Sequence, residues 1–382
     1  MDNIKVITIF GTRPEAVKMA PLIKELERRK KICSKVCVTA QHREMLDQVL
    51  EIFNISPDFD LNIMQEKQSL SGITTRVLEG LDEIFEAEKP DLILVHGDTT
   101  TTFAGALAAF YKQIKVGHVE AGLRTFNKYF PFPEEMNRKL TASISDLNFA
   151  PTKKSRDNLV NEGIKEEDIF ITGNTVIDAM NFTIEDNYVF NNQELNNIDY
   201  KNKKVIMVTA HRRENWGKGI ENICTALKEI VNKNKEVEIV YLVHLNPTVK
   251  EVVSKHLNDV ERVHLLSPLD VKETHNLMNK CFMIMTDSGG LQEEAPHLGK
   301  PVLVLRDVTE RPEAVEAGTV KLVGTDVKVI VTSANELLLN SDKYESMSRA
   351  INPYGDGKAS YRIVEAILKS FGFDNYYDDL IL

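Results

Sequence analysis

Short runs of β-branched and aliphatic residues alternate with longer segments of mixed polarity along nearly the whole chain. In the first half the apolar runs read KVITIF, VCVTA, DLILVHGD, VGHVE, LNFAPT and IFITG. Short, continuous apolar runs are typical of strands buried on both faces, and their alternation with helical segments indicates a parallel sheet covered by helices. The first half therefore predicts an α/β domain.

A polar, Asn-rich stretch at residues 187–204 interrupts this alternation, which then restarts with VIMVTAH, VEIVYLVH, RVHLLS, FMIMTDS and PVLVLR. The restart predicts a second domain of the same kind. We expect an N-terminal Rossmann-like domain over residues 1–170 and a C-terminal one over residues 171–357. The amphipathic segment after NPYGDGK predicts a helix at about 358–382 that packs back on the first domain.

Composition and charge limit the partners of the chain. Of its 382 residues, 42% are hydrophobic and 27% charged, as expected for a globular protein of two domains. The formal net charge of −10 argues against nucleic acid or an anionic membrane as a general partner. Local groups would therefore have to hold any anionic ligand.

Neither a leader nor a membrane span is predicted. The N-terminus enters KVITIF without a charged-then-apolar leader, and no apolar run approaches the roughly 18 residues of a membrane span. We therefore expect a cytoplasmic protein.

Metal binding is not predicted either. Cys33 and Cys37 lack a second Cys or His pair at metal-site spacing, and no HExxH motif is present. Together with Cys224 and Cys281, these two cysteines are expected to be buried free thiols.

The unusual residues of the chain follow the predicted strands directly, in the segments FGTRPE, HGDTTTT, EAGLRT, AHRREN and DSGG. Ligands of open α/β sheets bind beyond the carboxyl ends of the strands. If two such sheet edges face each other, these segments line an interdomain cleft.

DSGGLQEEA, residues 287–295, combines a strand end, a glycine turn and a helix start. Backbone N–H groups at a helix start favour a phosphate, and Ser288 can add a hydroxyl donor. The alternative is a plain turn in which Ser288 caps the helix. A diphosphate also requires cations, and five lie near strand ends: Arg13, Lys18, Arg212, Arg213 and Arg311. Solvated surface charge is the usual role of any single one of them.

The fingerprints of other nucleotide sites are incomplete. GKGIEN lacks the third glycine of a dinucleotide-binding turn, and Pro301 follows Lys300 where a P-loop needs Ser or Thr. The sequence therefore predicts a phosphate site without a nicotinamide or P-loop motif.

Asp98, Glu120 and Glu134 come from three neighbouring strand-end segments. Carboxylates gathered in one pocket are suited to general acid and base catalysis. The alternatives are helix capping for Asp98 and a favourable charge at a helix start for Glu134. His211 follows a strand beside two arginines, where an imidazole can contact a phosphate or pass a proton.

The segments GTRPEAVKMAPL, VHGDTTTT, GHVEAGLRT, PFPEEMNR, GNTVIDA, TAHRREN, TDSGGLQEEAPHLGKPVLVLRD and TERPEAVEAGT, spread from residue 11 to about 357, resemble the signature segments of the UDP-N-acetylglucosamine 2-epimerases. The resemblance implies two Rossmann-like domains of the glycosyltransferase B type, facing an interdomain cleft, in a homodimer. It also implies reversible conversion of UDP-GlcNAc to UDP-ManNAc for surface polysaccharide synthesis, with no metal or other cofactor.

For the site, the resemblance implies roles residue by residue. Catalysis falls on Asp98, Glu120 and Glu134, with His211 near the diphosphate. The substrate-binding positions are Arg13 and Lys18 on the phosphate side, Ser288, Gly289 and Gly290 at the diphosphate, Glu294 at the ribose hydroxyls, and Arg311 in support.

The expected chemistry is elimination of UDP from carbon 1 of the sugar with loss of the carbon 2 proton, which gives a 2-acetamidoglucal, followed by re-addition. Three alternatives stay open: a hydrolysing epimerase that releases ManNAc and UDP, a glycosyltransferase of the same architecture, and a non-catalytic sugar-nucleotide sensor.

Bacterial relatives also bind a second UDP-GlcNAc as activator, and this chain matches that site in part. The implied residues are Gln41, His42, Glu44, Lys67, Arg212 and His244. Glu44 and Lys67 depart from the expected Gln and Arg, and both changes weaken a diphosphate site because Glu is anionic and Lys lacks the guanidinium fork.

Overall fold

The computed structural model describes residues 3–40, 43–65 and 68–373. Within them the chain forms two compact units. The first contains the described residues up to Phe182 and those from Tyr354 onward, and the second extends from Thr183 to Pro353. Each is built on one sheet, and every strand pair is parallel, which confirms the predicted α/β class.

The sheet of the first unit has seven strands among the described residues, in the order β3-β2-β1-β4-β5-β6-β7. The strands are β1 (Ile4–Phe10), β2 (Ile32–Val38), β3 (Phe59–Asp60), β4 (Leu92–His96), β5 (Lys115–Val119), β6 (Leu147–Ala150) and β7 (Ile169–Ile171). The helices between and after them are α1 (Arg13–Glu27), α2 (Arg43–Ile52), α3 (Leu70–Glu88), α4 (Thr100–Tyr111), α5 (Glu134–Ile144), α6 (Lys153–Asn161) and α7 (Thr175–Thr183). A 3-10 turn at Glu166–Asp168 precedes β7.

The second unit repeats the plan with six strands, in the order β10-β9-β8-β11-β12-β13. Its strands are β8 (Lys204–Thr209), β9 (Val237–Leu242), β10 (Val263–Leu266), β11 (Met283–Thr286), β12 (Val302–Val304) and β13 (Val320–Leu322). Its helices are α8 (Gln193–Asn196), α9 (Lys218–Lys233), α10 (Pro247–Leu257), α11 (Val271–Lys280), α12 (Gly289–Glu294), α13 (Pro312–Glu316), α14 (Val327–Leu339) and α15 (Ser341–Ser348), with 3-10 turns at Arg213–Asn215 and Ala295–Leu298.

The last described helix, α16 (Ala359–Ser370), belongs to the first unit although it follows the second in sequence. Arg29 at the end of α1 forms an ion pair with Glu365 at 2.9 Å, and its guanidinium lies over the Tyr361 ring at 5.2 Å. Asp178 accepts hydrogen bonds from the first N–H groups of α16, those of residues 359–360. These contacts hold the helix on α1 and α7.

Buried aliphatic side chains explain the strands. All five residues of β4 are buried, and Ile7, Ile9 and Val95 pack on α3 and α4 in one core. A second core forms around Tyr241 in the other unit. Parallel strands buried on both faces need such continuous apolar runs, which is why the sequence pattern predicted them.

In both sheets the strand order reverses direction next to the first strand of the unit, between β1 and β4 and between β8 and β11. At such a reversal the loops that leave the two strands diverge to opposite faces and leave a crevice at the carboxyl edge. The loops after β4, β8 and β11 carry Asp98, His211, Arg212 and Ser288, and Arg13 starts the helix after β1.

The cysteine prediction holds in three of four positions. All four are free thiols; Cys37, Cys224 and Cys281 are buried, but Cys33 is exposed because it lies on the outward side of β2. Across residues 3–40, 43–65 and 68–373, the helices are all too short or too polar to cross a bilayer.

Candidate active site

Asp98 lies at the reversal point of the first sheet, directly after β4 and Gly97. Its Oδ2 accepts a hydrogen bond from Arg138 Nη2 at 2.5 Å, and its carbonyl accepts from Asn137 Nδ2 at 2.9 Å. The cap of α4 is Thr99, whose hydroxyl accepts from the Thr102 N–H. The alternative role of Asp98 as a helix cap is therefore wrong, and its carboxylate faces a guanidinium of α5.

Glu120 directly follows β5, the strand next to β4. Its Oε2 accepts from Asn174 Nδ2 at 2.9 Å and is paired with Lys18 Nζ. Its Oε1 lies 3.7 Å from the point that a Cβ on residue 97 would occupy. Its φ of +62° places a non-glycine residue in the left-handed region, a strained conformation that is typical of functional positions. Glu120 and Asp98 thus meet around Gly97, as predicted for neighbouring strand ends.

Two buried imidazoles lie beneath these carboxylates. Burial lowers the pKa of His96 to about 3, although Glu120 opposes the shift, and burial lowers the pKa of His118 to about 4. Both rings are therefore neutral at pH 7. His118 Nε2 lies 2.7 Å from the Gly97 carbonyl, so this nitrogen carries the hydrogen. His96 Nε2 lies 3.8 Å from Glu120 Oε2.

Glu134 and Glu135 are adjacent at the start of α5 but have different surroundings. Glu135 is fully buried, and its oxygens accept from the N–H groups of Thr125 at 3.0 Å and Phe126 at 2.9 Å. Glu134 Oε2 is buried without a hydrogen-bond partner in the described part of the chain. Glu135 therefore anchors the loop before α5, whereas Glu134 presents an unsatisfied carboxylate oxygen.

Arg124 and Arg138, the two arginines of residues 118–138, also have different roles. Arg138 bridges Asp98 and Glu135, the latter at 3.5 Å. Arg124 forms a bidentate pair with Glu162 of the neighbouring α6 loop, with Nε 3.0 Å from both carboxylate oxygens. Arg138 is thus part of the carboxylate cluster, and Arg124 fastens the loop to the edge of the unit.

Glu15 is a residue whose importance the sequence reasoning missed. Its Oε2 accepts from the N–H groups of Gly11 and Thr12 and from the Thr12 hydroxyl at 2.8 to 3.1 Å. Its Oε1 accepts from the hydroxyls of Thr99 at 2.7 Å and Thr102 at 3.2 Å. Burial raises the pKa of Glu15 although these donors oppose the rise. The Glu15 carboxylate therefore joins two loops. One follows β1 and leads to Arg13 at the start of α1, and the other carries Asp98.

At the reversal point of the second sheet, Asp287 is a further missed residue. It is fully buried, and its Oδ2 accepts from the N–H groups of His211 and Arg212 at 2.8 Å and from Asn215 Nδ2 at 3.0 Å. The signal in the sequence is an acidic residue directly after β11, but the prediction rested on the serine and glycines that follow it. Asp287 fixes the loop after β8 against the loop after β11.

His211 has its Nδ1 3.3 Å from Asp287 Oδ1, and its ring stacks on His244 with centroids 5.4 Å apart. Burial lowers the pKa of His211, against the attraction of Asp287 and with the help of His244 and Arg212. The ring is therefore mainly neutral at pH 7, held in place by a carboxylate and able to contact a ligand with its other nitrogen.

Ser288 is the N-cap residue of α12, but its hydroxyl makes no capping hydrogen bond. The two glycines that follow allow other side chains to approach closely. A Cβ on Gly289 would lie 3.2 Å from the Arg311 guanidinium carbon, and one on Gly290 would lie 3.1 Å from Glu294 Oε1. The structure thus brings Arg311 and Glu294 to the glycine turn, and Arg311 Nε is held by Glu293 at 2.6 Å.

Of the positions implied for an activator site, Arg212 and His244 lie beside His211 in the second unit. Gln41, His42 and Lys67 lie outside the described residues. Glu44 is in α2, and its side chain is also outside the described part. In residues 3–40, 43–65 and 68–373 no three His, Cys, Asp or Glu side chains converge as metal ligands.

Two α/β domains, each built on a parallel sheet, are the architecture of proteins with the glycosyltransferase B fold. The model of the UDP-N-acetylglucosamine 2-epimerase family matches residues 24–368. This chain belongs to that family, which confirms the resemblance read from its motifs.

Individual relatives are similar to this chain over nearly its whole length. A Bacillus subtilis UDP-N-acetylglucosamine 2-epimerase is 59% identical over 373 residues, covering 98% of this chain and 97% of that protein. A crystal structure of a UDP-N-acetylglucosamine 2-epimerase has a TM-score of 0.91 at 56% identity and covers 100% of both chains. The Neisseria meningitidis UDP-GlcNAc 2-epimerase bound to UDP-GlcNAc has a TM-score of 0.85 at 52% identity, covering 96% of this chain and 100% of that one.

Proposed function

We propose that the protein interconverts UDP-GlcNAc and UDP-ManNAc by eliminating and re-adding UDP, and so supplies ManNAc units for surface polysaccharide. The observation that carries the proposal is that Asp98 and Glu120 meet around Gly97, with Glu134 at the start of the helix whose Arg138 pairs with Asp98. A protein that only bound UDP would have no use for three carboxylates, since negative charge disfavours a diphosphate.

The chemistry requires the leaving group to act first. The carbon 2 hydrogen has no neighbouring carbonyl to acidify it. In our proposal, the bond from carbon 1 to the UDP oxygen breaks and UDP keeps the electron pair. A carboxylate takes the carbon 2 proton, and the electrons of that C–H bond form the double bond between carbons 1 and 2. Return of a proton to the opposite face of carbon 2 and of UDP to carbon 1 gives the manno isomer.

Inversion at carbon 2 requires acid/base groups on both faces of the sugar, and the carboxylate cluster supplies more than one. Asp98 is oriented by Arg138, and Glu120 by Asn174 and Lys18. Glu134 adds an oxygen that no described donor occupies. These three carboxylates differ in their partners, which suits them to different roles within one cycle.

The groups at the second reversal suit the departing diphosphate. We assign Ser288, Gly289 and Gly290 to its oxygens, with Arg311 as a further donor, His211 as a donor once it is protonated, and Glu294 as acceptor for the ribose hydroxyls. Arg13 and Lys18 are assigned to the phosphate side from the first unit. Donors fixed before the reaction stabilise the charge that develops on the leaving oxygen.

Proton NMR in D₂O with UDP-GlcNAc tests the proposal. We expect UDP-ManNAc to appear together with deuterium at carbon 2 of both sugars. Free ManNAc with UDP would show a hydrolysing epimerase instead, and an unchanged spectrum would point to a transferase or a sensor.

We further propose activation by a second UDP-GlcNAc, bound near Gln41, His42, Glu44, Lys67, Arg212 and His244. The stacked His211 and His244 rings and the adjacent Arg212 support it, because they link such a site directly to a catalytic group. Progress curves started from UDP-ManNAc should show a lag that added UDP-GlcNAc removes. Linear curves unaffected by UDP-GlcNAc would contradict this.

We also propose that the enzyme works as a cytoplasmic homodimer, as the resemblance implies. Light scattering after size exclusion should then give about twice the mass of one chain. Fractionation of the cells that produce it should recover the activity with the cytosol rather than with membranes.

A further inference from the structure

We propose that His275 is a positioning residue that orients the Glu294 carboxylate toward the ribose of the bound nucleotide. The proposal rests on the function proposed above, in which Glu294 receives the ribose hydroxyls. His275 lies on α11, belongs to no motif singled out in the sequence, and is almost completely buried.

The imidazole of His275 connects two oxygens on opposite sides of its ring. Its Nε2 lies 3.5 Å from Glu294 Oε2, and its Nδ1 lies 2.7 Å from Thr183 Oγ1. Because a carboxylate only accepts, Nε2 carries the hydrogen that faces Glu294. In this tautomer Nδ1 accepts from the Thr183 hydroxyl, and this hydrogen bond selects the tautomer that serves Glu294.

Thr183 is itself fixed in place. It is fully buried, and its carbonyl accepts from Asn276 Nδ2 at 2.7 Å, while Asn276 Oδ1 accepts from the Glu185 N–H at 2.9 Å. Neighbouring residues of α11 thus hold the first residue of the second unit by its side chain and by its backbone. The imidazole that faces Glu294 is therefore anchored through its Nδ1.

The position of Glu294 explains why this matters for a nucleotide. One of its oxygens lies against Gly290 of the turn assigned to the diphosphate, and the other faces His275. Only a narrow range of orientations lets such a carboxylate accept from two ribose hydroxyls while the diphosphate stays on the turn. A ring that fixes one oxygen reduces the conformational freedom lost on binding.

The test compares UDP with 2′,3′-dideoxyuridine diphosphate by calorimetry. The parent protein should bind UDP at least about tenfold more tightly, since hydrogen bonds to a charged acceptor carry that much affinity. In His275→Phe, UDP should lose most of this advantage while the dideoxy compound binds as before. With UDP-GlcNAc as substrate, KM should rise about tenfold and kcat should change less than about threefold.

Thr183→Val is the second variant, because it keeps the size of the side chain and removes only the hydroxyl that orients His275. It should lose part of the UDP preference, about threefold. If His275→Phe does not fold, Thr183→Val decides the question alone, and an unchanged preference in it overturns the proposal.

Failure of the proposal and failure of the proposed function are distinguishable. A parent protein that does not bind UDP overturns both. A parent protein that binds UDP and converts the sugar, with a ribose preference that His275→Phe retains in full, overturns only the role of His275. A parent protein without any ribose preference also overturns that role, because Glu294 then receives no ribose hydroxyl.

Discussion

The acidic residues near the two sheet reversals form two groups, which differ in the hydrogen bonds that their carboxylate oxygens accept. Both oxygens of Glu15 and Glu135, and Oδ2 of Asp287, accept from backbone N–H groups or side chains of neighbouring loops, so these residues hold the loops together. The carboxylates of Asp98 and Glu134 accept from no described backbone N–H group. Asp98 Oδ2 faces Arg138, and Glu134 Oε2 lacks a described hydrogen-bond partner. The first group shapes the site, and the second is available for chemistry.

Asp98→Asn tests the second group directly. The amide keeps the shape of the side chain but cannot take a proton, so we expect kcat to fall by about 10²- to 10⁴-fold. The Kd for UDP should stay within about threefold because the assigned UDP contacts do not include Asp98. Epimerisation assays and calorimetry with UDP provide both values.

Asp82→Asn is the matched control for this experiment. Asp82 lies on α3, exposed, in an ion pair with Lys112, so its loss should leave kcat unchanged. An Asp98→Asn variant as active as this control would remove Asp98 from the mechanism.

Glu134→Gln and Glu135→Gln form a matched pair at adjacent positions. Glu134→Gln should lower kcat at least about 100-fold and leave thermal stability unchanged, since its buried oxygen has no hydrogen bond to lose. Glu135→Gln should destabilise the first unit by about 2 kcal/mol, because the amide cannot accept from both loop N–H groups with its one oxygen.

Epimerisation rates and calorimetric melting of both variants check this pair. Equal loss of turnover with equal loss of stability would show that the two glutamates do not differ in role as their contacts indicate.

At the scale of elements, the positions of strands and of the strand-end loops followed from the sequence, but the anchoring between loops did not. DLILVHGD and FMIMTDS were recognisable because continuous apolar runs are needed for strands covered on both faces. The anchors Glu15 and Asp287 accept from segments distant in sequence, so their partners are defined only after the sheet has formed. The Asn-rich stretch at residues 187–204, which was predicted to interrupt the alternation, contains the short α8 and the first residue of β8.

The loop after β12 supplies a pH-dependent test of such anchoring. Arg306 is buried and pairs with Glu214 at 2.5 Å and Glu310 at 2.7 Å, which joins this loop to the one after β8. Burial opposes ionisation of Glu310, but the hydrogen bonds of Arg306 outweigh it and lower the pKa of Glu310 from 4.5 to about 2.

A lowered folded-state pKa contributes stability that is fully present above the unfolded value of about 4.5 and is lost as the pH falls toward about 2. Glu310→Gln should therefore destabilise the second unit at pH 7 by about 1 to 2 kcal/mol, a figure reduced for solvent screening of a partly exposed side chain. The difference from the parent protein should shrink in calorimetry at pH 3.

Glu316→Gln on α13 makes the same chemical change on an exposed side chain and is the control. It should change stability little at either pH. A Glu310→Gln effect of the same size at pH 7 and pH 3 would show that ionisation of Glu310 does not stabilise the fold.

For the whole molecule, the family and the two-domain class could be predicted from the sequence because eight motifs occur in order along the chain. The roles of the individual site residues were only partly predictable. Asp98 and Glu120 meet around Gly97 because neighbouring strand ends lie at one edge, whereas the grouping of Glu134 with them stays a prediction. His275 was missed because it lies on a helix face, where nothing in the local sequence distinguishes it from a core residue.

The residues assigned to UDP lie mostly in the second unit, which predicts an uneven response to the nucleotide. UDP at about 100 times its Kd should stabilise that unit by about 2.7 kcal/mol by mass action. Hydrogen exchange followed by mass spectrometry should slow most in β8, β11 and the turn after β11. Equal slowing in the first unit's β6 and β7, far along the sheet from its reversal point, would contradict the assignment.

One feature of chain order affects how the enzyme is made. Asn174, which donates to Glu120, has its own N–H bonded to the carbonyl of Tyr354 at 2.7 Å, and α16 packs beyond it. These contacts come from residues that leave the ribosome after the entire second unit. The strands of the first sheet all come from residues 4–171 and do not depend on these contacts, but the loop after β7 does. Asn174, the donor to Glu120, therefore gains this backbone contact only after the second unit has been synthesised.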